Sequence, residues 1–379
     1  MRKNYLLTPG PTPLPPYVCE AMSRPIIHHR TPQFQAILKE TTDGLRYVFQ
    51  TKNDVFILAS SGTGAMEAAV VNLLSPGDTV IIVEAGKFGE RWTEICRANN
   101  VNCDVIKVEW GHAVEPKEIE RRLGANPKIK AVFTTLCETS TGAKSDIEAI
   151  GKIIKDTPAV LVVDAISGLG AVDLKTDAWF CDVVVSGSQK GLMLPPGLGF
   201  ISVSSKAFGL VENAKCPRYY LDLKKAKKAL DKTDTPFTPA ITLIIALNEV
   251  LKMLKEDGLE NVFSRHKKLG VAVRTAMKAL GLELFAGSNS SDAVTAANVP
   301  AGLDGEKLVK TMRDTYGITI AGGQDEMKGK LIRIAHMGFI EEFDIILGIS
   351  CLEKVLTQMG YKFELGSGVK AAEEVFLRV

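Results

Sequence analysis

The chain has 379 residues, of which 46% are hydrophobic and 24% charged, a composition typical of a soluble globular protein with enough chain for a large and a smaller domain. The 46 Lys and Arg residues nearly balance the 44 Asp and Glu residues, so the net charge of +2 does not indicate nucleic acid or an acidic membrane surface as a partner. The seven cysteines are scattered without a C-x-x-C pair, and neither a signal-type apolar core nor an 18-residue apolar run occurs, so we expect a cytoplasmic protein with reduced thiols, no metal site and no membrane span.

The first half of the chain predicts an arm, a helix and then alternating strands and helices. Residues 1–20 are rich in proline, which predicts an irregular N-terminal arm and not a helix. Apolar residues spaced for one face predict a helix over residues 31–50. Short apolar runs then alternate with helical stretches or loops, and they lie at 55–58, 79–83, 104–108, 131–136, 159–163, 183–185 and 199–203.

This alternation predicts an α/β fold, because continuous apolar strands joined by helical crossovers form a mainly parallel sheet covered on both faces. We expect a large domain over residues 21–245 with a mainly parallel seven-stranded sheet, whose parallel order breaks at the last two runs. Residues 241–280 predict a long amphipathic helical region that leads into a smaller C-terminal α+β domain over residues 246–379. The strand candidates of that domain are 293–299, 318–321 and 330–335, with a helix candidate at 371–377.

Lys190 and Asp164 each follow a run of β-branched residues, about one βα crossover apart. Such spacing predicts neighbouring strand ends on one edge of the sheet. An amine and an acid delivered to one cleft match the needs of pyridoxal 5′-phosphate (PLP), whose aldehyde reacts with a lysine and whose pyridine nitrogen pairs with a carboxylate.

The turn Ser60–Gly64 lies between a predicted strand and a predicted helix. Its small residues allow close approach of an anion to the helix N-terminus, and the hydroxyls of Ser61 and Thr63 can add hydrogen bonds. The turn lacks the Gly-Lys-Ser/Thr ending of a P-loop. A tight connection without an anion is the alternative for this turn taken alone.

Further segments occur in the order of a known family. They are Leu7–Thr12, Ser60–Glu67, Phe88–Trp92, Glu138–Gly142, Val163–Ala165, Ser186–Lys190, Pro195–Gly197 and Arg333–Gly338. Over about residues 5–350 the chain resembles the fold-type I PLP enzymes and, within them, the class V aminotransferases of the alanine–glyoxylate, serine–pyruvate and serine–glyoxylate group. The resemblance implies a homodimer that moves an amino group from a small amino acid, alanine or serine, to a 2-oxo acid, glyoxylate or pyruvate, by a ping-pong mechanism.

The resemblance also implies roles for individual residues. Lys190 forms the Schiff base with PLP and moves the substrate proton, and Asp164 pairs with the pyridinium. The other implied cofactor contacts are ring stacking by Phe88, a phenolic-oxygen contact by Thr139, and phosphate contacts by Gly62, Thr63, Gln189 and, from the partner subunit, Thr238 or Thr235. The implied substrate contacts are an α-carboxylate contact by Arg333, a closing arm that contains Gly10, and a distal-group contact by His29 and Arg30.

Several alternatives stay open at this point. Phe88 can be plain core, Arg333 can pair with a structural Asp or Glu, and the segment around His29 and Arg30 can be a polar turn. An acidic or phosphorylated substrate such as aspartate or phosphoserine, a lyase or β-elimination reaction, and a phosphonate transaminase share the same core residues. A cysteine desulfurase is disfavoured because the loop at 321–327 has no cysteine. A non-catalytic PLP-binding subunit is the alternative from another functional class.

Overall fold

The computed structural model describes residues 3–378, which form a seven-stranded sheet flanked by helices and a smaller C-terminal α+β region. The strands are β1 (Tyr5–Leu6), β2 (Asp54–Leu58), β3 (Thr79–Glu84), β4 (Asn102–Lys107), β5 (Ile129–Thr135), β6 (Cys137–Glu138), β7 (Ala143–Lys144), β8 (Val160–Asp164), β9 (Val183–Gly187), β10 (Gly199–Val203), β11 (Val294–Asn298), β12 (Ile318–Thr319), β13 (Ala321–Gly322) and β14 (Leu331–Ala335). The helices are α1 (Pro16–Ser23), α2 (Pro32–Phe49), α3 (Gly62–Leu73), α4 (Lys87–Ala98), α5 (Pro116–Ala125), α6 (Ile147–Ile154), α7 (Ser205–Asn213), α8 (Leu223–Leu230), α9 (Ile241–Asp257), α10 (Leu259–Ala279), α11 (Gly305–Tyr316), α12 (Glu342–Gln358) and α13 (Ser367–Phe376).

The large sheet has the strand order β2-β10-β9-β8-β5-β3-β4. Each neighbouring pair from β9 to β4 is parallel, whereas β10 runs antiparallel to both β9 and β2. The predicted mainly parallel seven-stranded sheet is confirmed, as is the break in parallel order at the last two runs. Because β2, β5, β8 and β9 point the same way, the segments that follow them begin at one edge of the sheet.

The central strands are apolar throughout because successive residues face two different helical layers. In β9, Val184 packs in the core cluster that includes residues of α2, α6 and α9. Its neighbours Val183 and Val185 pack in the cluster that includes residues of α3, α4 and α7. Helices therefore cover both faces, and the polar residues that end β8 and β9 are held in a rigid frame.

The N-terminal arm joins the C-terminal region before it reaches the large sheet. Tyr5 of β1 pairs in parallel with Ile318 of β12, and the Ala335 N–H donates to the Leu7 carbonyl at 2.9 Å. The C-terminal region itself is a three-stranded antiparallel sheet, ordered β11-β14-β13, that shares a core with residues of α10 to α13. The arm is thus held by β12 and β14 on its way to the sheet edge.

The expectation that residues 1–20 form no helix is wrong. Helix α1 begins at Pro16, since a proline in the first turn gives up no intrahelical hydrogen bond and its fixed φ suits the helix. Val18 and Ala21 are buried in the same core cluster as residues of α9, which stabilises this short helix. The proline density therefore marks the start of a helix as well as an irregular segment.

The helical region predicted over 241–280 is two helices, α9 and α10. They are separated at Gly258, whose φ of +76° ends α9 in a conformation that glycine adopts without strain. The predicted strand at 318–321 is likewise divided, into β12 and β13. The predicted domain boundary at residue 245 falls within α9 and stays a prediction.

Candidate active site

Three of the predicted groups lie at the carboxyl edge of the large sheet. Asp164 is the last residue of β8 and lies in register with Val185 of β9, and Lys190 follows shortly after β9 ends. The turn before α3 adjoins the same strand: a Cβ at Gly187 would lie 3.3 Å from the Gly62 nitrogen and 3.2 Å from Gln189 Oε1. The structure therefore brings the amine, the acid and the candidate phosphate turn together, as the strand pattern predicts.

The N-terminal arm crosses directly over Lys190. The Lys190 ammonium donates to the Pro9 carbonyl, and Thr12 Oγ1 donates to the Lys190 carbonyl at 2.9 Å. Gly10 has a φ of +107°, and a Cβ there would lie 2.6 Å from Lys190 Cδ, Cε and Nζ. Glycine is favoured at position 10 because it adopts this φ without strain and allows the arm to lie close to the Lys190 side chain.

Burial is the main influence on the charge of Lys190. It lowers the pKa of the amine to about 8, although the nearby Asp164 carboxylate acts in the opposite direction. At pH 7 roughly a tenth of such amines are neutral, far more than for an ordinary lysine. The amine is therefore able to act as a nucleophile and as a base near neutral pH.

We expect capture of PLP by the ligand-free protein to accelerate as the pH rises to about 8 and to level off above it. Only the neutral amine attacks an aldehyde, and its fraction grows about tenfold per pH unit below the pKa and saturates above it. Stopped-flow absorbance from pH 6 to pH 11 measures the rate, with free lysine as the reference. A rate that keeps rising beyond pH 10, as for the reference, would contradict the lowered pKa.

Asp164 is a buried carboxyl with few hydrogen bonds. The Ile166 N–H donates to its Oδ1 at 2.8 Å, and burial raises its pKa to about 7. A cation placed beside this carboxyl would lower the pKa again, because an opposite charge favours the ionised form. Asp164 is thus suited to pair with a protonated ring nitrogen.

The turn that begins α3 has the features of an anion site. Ser61 caps α3 without a side-chain hydrogen bond, so its hydroxyl and the first N–H groups of the helix are available to a ligand. Gln189 Oε1 is buried without a hydrogen-bond partner among residues 3–378, but this oxygen is an acceptor, so a phosphate contact of Gln189 would be made by its amide N–H groups. A Cβ on Gly62 would lie 2.6 Å from Ile166 Cδ1, so a larger residue at position 62 would require the Ile166 side chain to move. These features fit the phosphate of PLP.

Phe88 is held at the start of α4 by Glu138, a residue to which sequence reasoning gave no role. The Phe88 and Gly89 N–H groups donate to Glu138 Oε2 at 3.1 and 3.0 Å, and Ser140 Oγ donates to Oε1. A carboxylate at a helix N-terminus satisfies otherwise free N–H groups. Burial raises the pKa of Glu138, and these hydrogen bonds oppose the rise. Its position just after β5 is the signal that could have found it.

Arg333 lies on β14 and reaches the site from the C-terminal region. Its Nε and Nη2 donate to the Gly322 carbonyl at 2.9 and 2.7 Å, and its Nη1 donates to the Thr139 carbonyl at 2.8 Å. Among residues 3–378 no carboxylate lies within 4.0 Å of its guanidinium, so the alternative of a structural acidic partner is not what the structure contains. Burial lowers its pKa to about 10, which leaves the side chain charged at neutral pH.

Thr139, between Glu138 and Ser140, contacts Ser167 through its hydroxyl. Both residues are buried, and Thr139 is also the residue whose carbonyl accepts from Arg333. The segment after β5 therefore connects the helix that carries Phe88 with the strand that carries Arg333.

A second residue without a role in the sequence reasoning is Arg91. Its Nη1 donates to Thr63 Oγ1 at 3.2 Å, and its guanidinium carbon lies 4.8 Å from the centre of the Phe88 ring. Arg91 follows Phe88 by one helical turn, a spacing that places both side chains on one face of α4. That spacing is the sequence signal that could have found it.

The remaining predicted residues do not meet Lys190 within this subunit. Arg30 is half-exposed and pairs with Asp234, and His29 stacks on His28. Thr238 is exposed and lines a surface cavity. Their roles stay predictions.

Two other features that bear on function, metal sites and membrane-spanning helices, are absent among the described residues. Over residues 3–378, no group of three or more His, Cys, Asp or Glu side chains could hold a metal ion. In the same range, no helix combines the length and the apolar character required to cross a bilayer.

Comparison with known proteins adds independent observations. A family profile described as Aminotransferase class-V matches residues 4–336. The chain is 45% identical over 379 residues to the soluble hydrogenase 42 kDa subunit of Anabaena cylindrica, covering 99% of both chains. It is 38% identical over 382 residues to the serine–glyoxylate aminotransferase of Methylorubrum extorquens, covering 98% of this chain and 95% of that one. The crystal structure of the ureidoglycine–glyoxylate aminotransferase from Bacillus subtilis matches with a TM-score of 0.95 at 31% identity, covering 99% of this chain and 98% of that chain.

The structural match identifies the fold as the α/β fold of the fold-type I PLP proteins. The family profile spans most of the chain and includes the segments that carry Lys190, Asp164 and Arg333. The chain therefore belongs to the class V aminotransferases, a family whose members typically bind PLP.

Proposed function

We propose that the protein is a PLP-dependent transaminase that moves an amino group from a small amino acid, alanine or serine, to glyoxylate or pyruvate by a ping-pong mechanism. The observation that carries the proposal is the convergence of Lys190, Asp164 and an Arg333 without a carboxylate partner at one edge of the sheet. Arg333 favours catalysis over cofactor binding alone, because its described hydrogen bonds leave N–H groups for a substrate carboxylate.

PLP, when bound, supplies an electron sink for the electrons released at the substrate Cα. Asp164 would then hold positive charge on the ring. Lys190 Nζ, once free, would take the proton from the substrate Cα and deliver it to the cofactor's C4′ carbon, so that the amino group stays with the cofactor, and in the second half-reaction the proton would move in the opposite direction. The Lys190 pKa of about 8 in the ligand-free protein lies close to the value at which a group both accepts and donates protons efficiently near neutral pH. Phe88, at the start of α4, would pack against the ring.

Arg333 retains donors for a substrate carboxylate. A guanidinium has five N–H groups, and the described hydrogen bonds to Gly322 and Thr139 use three of them. One N–H group remains on each terminal nitrogen, and these two groups would serve a substrate carboxylate. The arm at Pro9 and Gly10 covers Lys190 and would help to exclude water from the bound substrate.

Glyoxylate as the acceptor is supported by the names of three similar proteins, in which the donor is serine, ureidoglycine or L-aspartate. A small donor is supported by Arg30, the cation that the sequence offers for an acidic side chain, because it already pairs with Asp234 in the subunit. We therefore place alanine and serine ahead of aspartate and phosphoserine as donors.

We further propose that the active protein is a homodimer in which Thr238, or Thr235, of one subunit reaches the phosphate of the other. Within its own subunit Thr238 is exposed, and no described contact joins it to the turn at Gly62. A residue that serves the neighbouring subunit would be placed in this way. His29 and Arg30 are assigned to the same side of the cleft.

The proposed reaction is tested by mixing the PLP-loaded protein with each of the twenty amino acids, phosphoserine and aminoethylphosphonate, and following the absorbance of the lysine-bound cofactor. We expect alanine and serine to convert it fastest, and glyoxylate or pyruvate to restore it. Faster conversion by aspartate or phosphoserine would contradict the choice of donor and leave the reaction type intact.

A second candidate is favoured by the 45% identical hydrogenase subunit: a PLP-binding subunit without transaminase activity. The same measurement separates the two. A protein that binds PLP at Lys190 but shows no change with any of these compounds is a binding subunit, and the transaminase proposal is then wrong.

A further inference from the structure

The candidate phosphate site has no cation among the residues that sequence reasoning assigned to it. Ser61, Gly62, Thr63 and Gln189 are all uncharged, and the N-terminus of α3 contributes only partial positive charge. A phosphate ester carries up to two negative charges near neutral pH, and such an anion is bound most strongly by charge-assisted hydrogen bonds. The site is thus incomplete as first assigned.

Arg91 is placed to supply the missing charge. Its Nη1 already donates to Thr63 Oγ1 at 3.2 Å, in the first turn of α3. Among residues 3–378 its guanidinium has no carboxylate within 4.0 Å, although the side chain is partly buried. An arginine in such a position has donors that remain free for an anion.

The other cations of the cleft have different tasks. Lys190 is the proposed attachment point of the cofactor, and Arg333 is bound to the carbonyls of Gly322 and Thr139 on the substrate side. Lys87, also in α4, pairs with Glu90 at 3.1 Å and with Asp325 at 3.0 Å. Arg91 is close enough to Lys190 and Asp164 for its positive charge to lower the pKa of both groups.

Arg91 also contacts the ring that is expected to pack against the cofactor. Its guanidinium carbon lies 4.8 Å from the Phe88 ring centre, a distance typical of a cation–π contact. The guanidinium thus contacts both Thr63, in the turn proposed to bind the phosphate, and Phe88, whose ring is proposed to stack on the pyridine ring of PLP. A bound phosphate would therefore also order Phe88.

We propose that Arg91 binds the phosphate group of PLP together with Thr63, and so completes the anion site and positions Phe88. This inference rests on the proposed function, because it assigns a residue to the cofactor of that function. Arg91 would then be the cation that binds the phosphate of the cofactor, whereas Lys190 binds its aldehyde and Arg333 binds the substrate.

The test compares PLP with pyridoxal, which has the same aldehyde and no phosphate. Both are titrated into ligand-free wild type and Arg91→Met, and the dissociation constants are read from the absorbance of the lysine-bound cofactor. We expect Arg91→Met to weaken PLP binding roughly 10- to 100-fold and to leave pyridoxal binding within about 2-fold, because only PLP presents the group that the guanidinium contacts.

Two further variants make the result specific. Arg91→Lys keeps the charge without the planar guanidinium, so its affinity for PLP should lie between those of wild type and Arg91→Met. Intermediate affinity would also show that α4 tolerates replacement of Arg91. Arg97→Met removes an exposed arginine from the last turn of the same helix and should bind both aldehydes as wild type does.

Two outcomes would overturn the proposal. Equal loss of affinity for both aldehydes in Arg91→Met would mean that Arg91 acts only through packing, and unchanged PLP affinity would mean that it does not contact the phosphate. Both leave the proposed function standing, whereas a wild type that captures neither aldehyde overturns the inference and the proposed function together.

Discussion

Replacing Lys190 with alanine is expected to remove covalent cofactor attachment and nearly all transaminase activity. The variant has no amine at the end of β9, and a positioned base alone typically accounts for about 10²- to 10⁴-fold in rate. The purified variant should show no absorbance of a lysine-bound cofactor. Borohydride reduction followed by peptide mass spectrometry should find a mass gain at residue 190 in wild type and none in the variant.

Lys190→Arg and Lys228→Ala serve as controls for this experiment. Lys190→Arg keeps the positive charge beneath Gly10 but cannot form an imine, so it should be as inactive as the alanine variant. Lys228 is an exposed lysine of α8, and its replacement should leave both attachment and activity unchanged. Covalent attachment of PLP to the Lys190→Ala protein would show that another amine reacts with the aldehyde and would contradict the role given to Lys190.

The parts of the site that lie on strand ends could be predicted from the sequence. Lys190 and Asp164 follow apolar runs one crossover apart, and a parallel sheet places such ends side by side, as the register of Asp164 with Val185 shows. The turn at Gly62 follows for the same reason, since β2 ends at that edge. The alternation of strands and helices carries this information, because it predicts parallel strands, and the carboxyl ends of parallel strands lie at one edge of the sheet.

Residues on helix starts and on the arm could not be placed in this way. The position of Glu138 after β5 marks it as a residue at this edge, but its partners, the N–H groups of Phe88 and Gly89, lie some fifty residues earlier in the chain, and no local pattern encodes that contact. The spacing of Arg91 from Phe88 places both on one face of α4, but its contact with Thr63 is visible only in the structure. The arm was expected to close over the substrate, but its pairing with β12 is a long-range contact that periodicity does not report.

The same contacts indicate how the site is assembled from three parts of the chain. The large sheet supplies Lys190 and Asp164, β14 supplies Arg333, and the arm is tied to β12 and β14 before it covers the lysine. The carbonyl of Thr139, in the turn between β6 and β7, accepts from Arg333 of the C-terminal region at 2.8 Å. The position of Arg333 therefore depends on the packing of both regions.

Replacing Arg333 with methionine is expected to lower kcat/KM for amino acids by roughly 30- to 4,000-fold, which corresponds to the about 2–5 kcal/mol lost when one partner of a buried charge pair is removed. The loss should appear chiefly as a higher KM, because the α-carboxylate loses a bidentate partner before any proton moves. The kcat/KM of Arg333→Lys should fall between those of wild type and Arg333→Met, since an ammonium keeps the charge without the planar pair of N–H donors. Steady-state kinetics with alanine and serine measure the effect.

A structural role for Arg333 would give a different pattern. Methionine also leaves the carbonyls of Gly322 and Thr139 without their donor, so some loss of thermal stability is expected in any case. Arg274→Met is the matched control, because Arg274 likewise lies in the C-terminal region and binds the Ser291 carbonyl and Asp292. That variant should lose stability and keep the wild-type KM, whereas Arg333→Met should raise KM while its affinity for PLP stays unchanged. A wild-type KM in Arg333→Met would show that the arginine serves the fold alone, and the α-carboxylate would then need another partner.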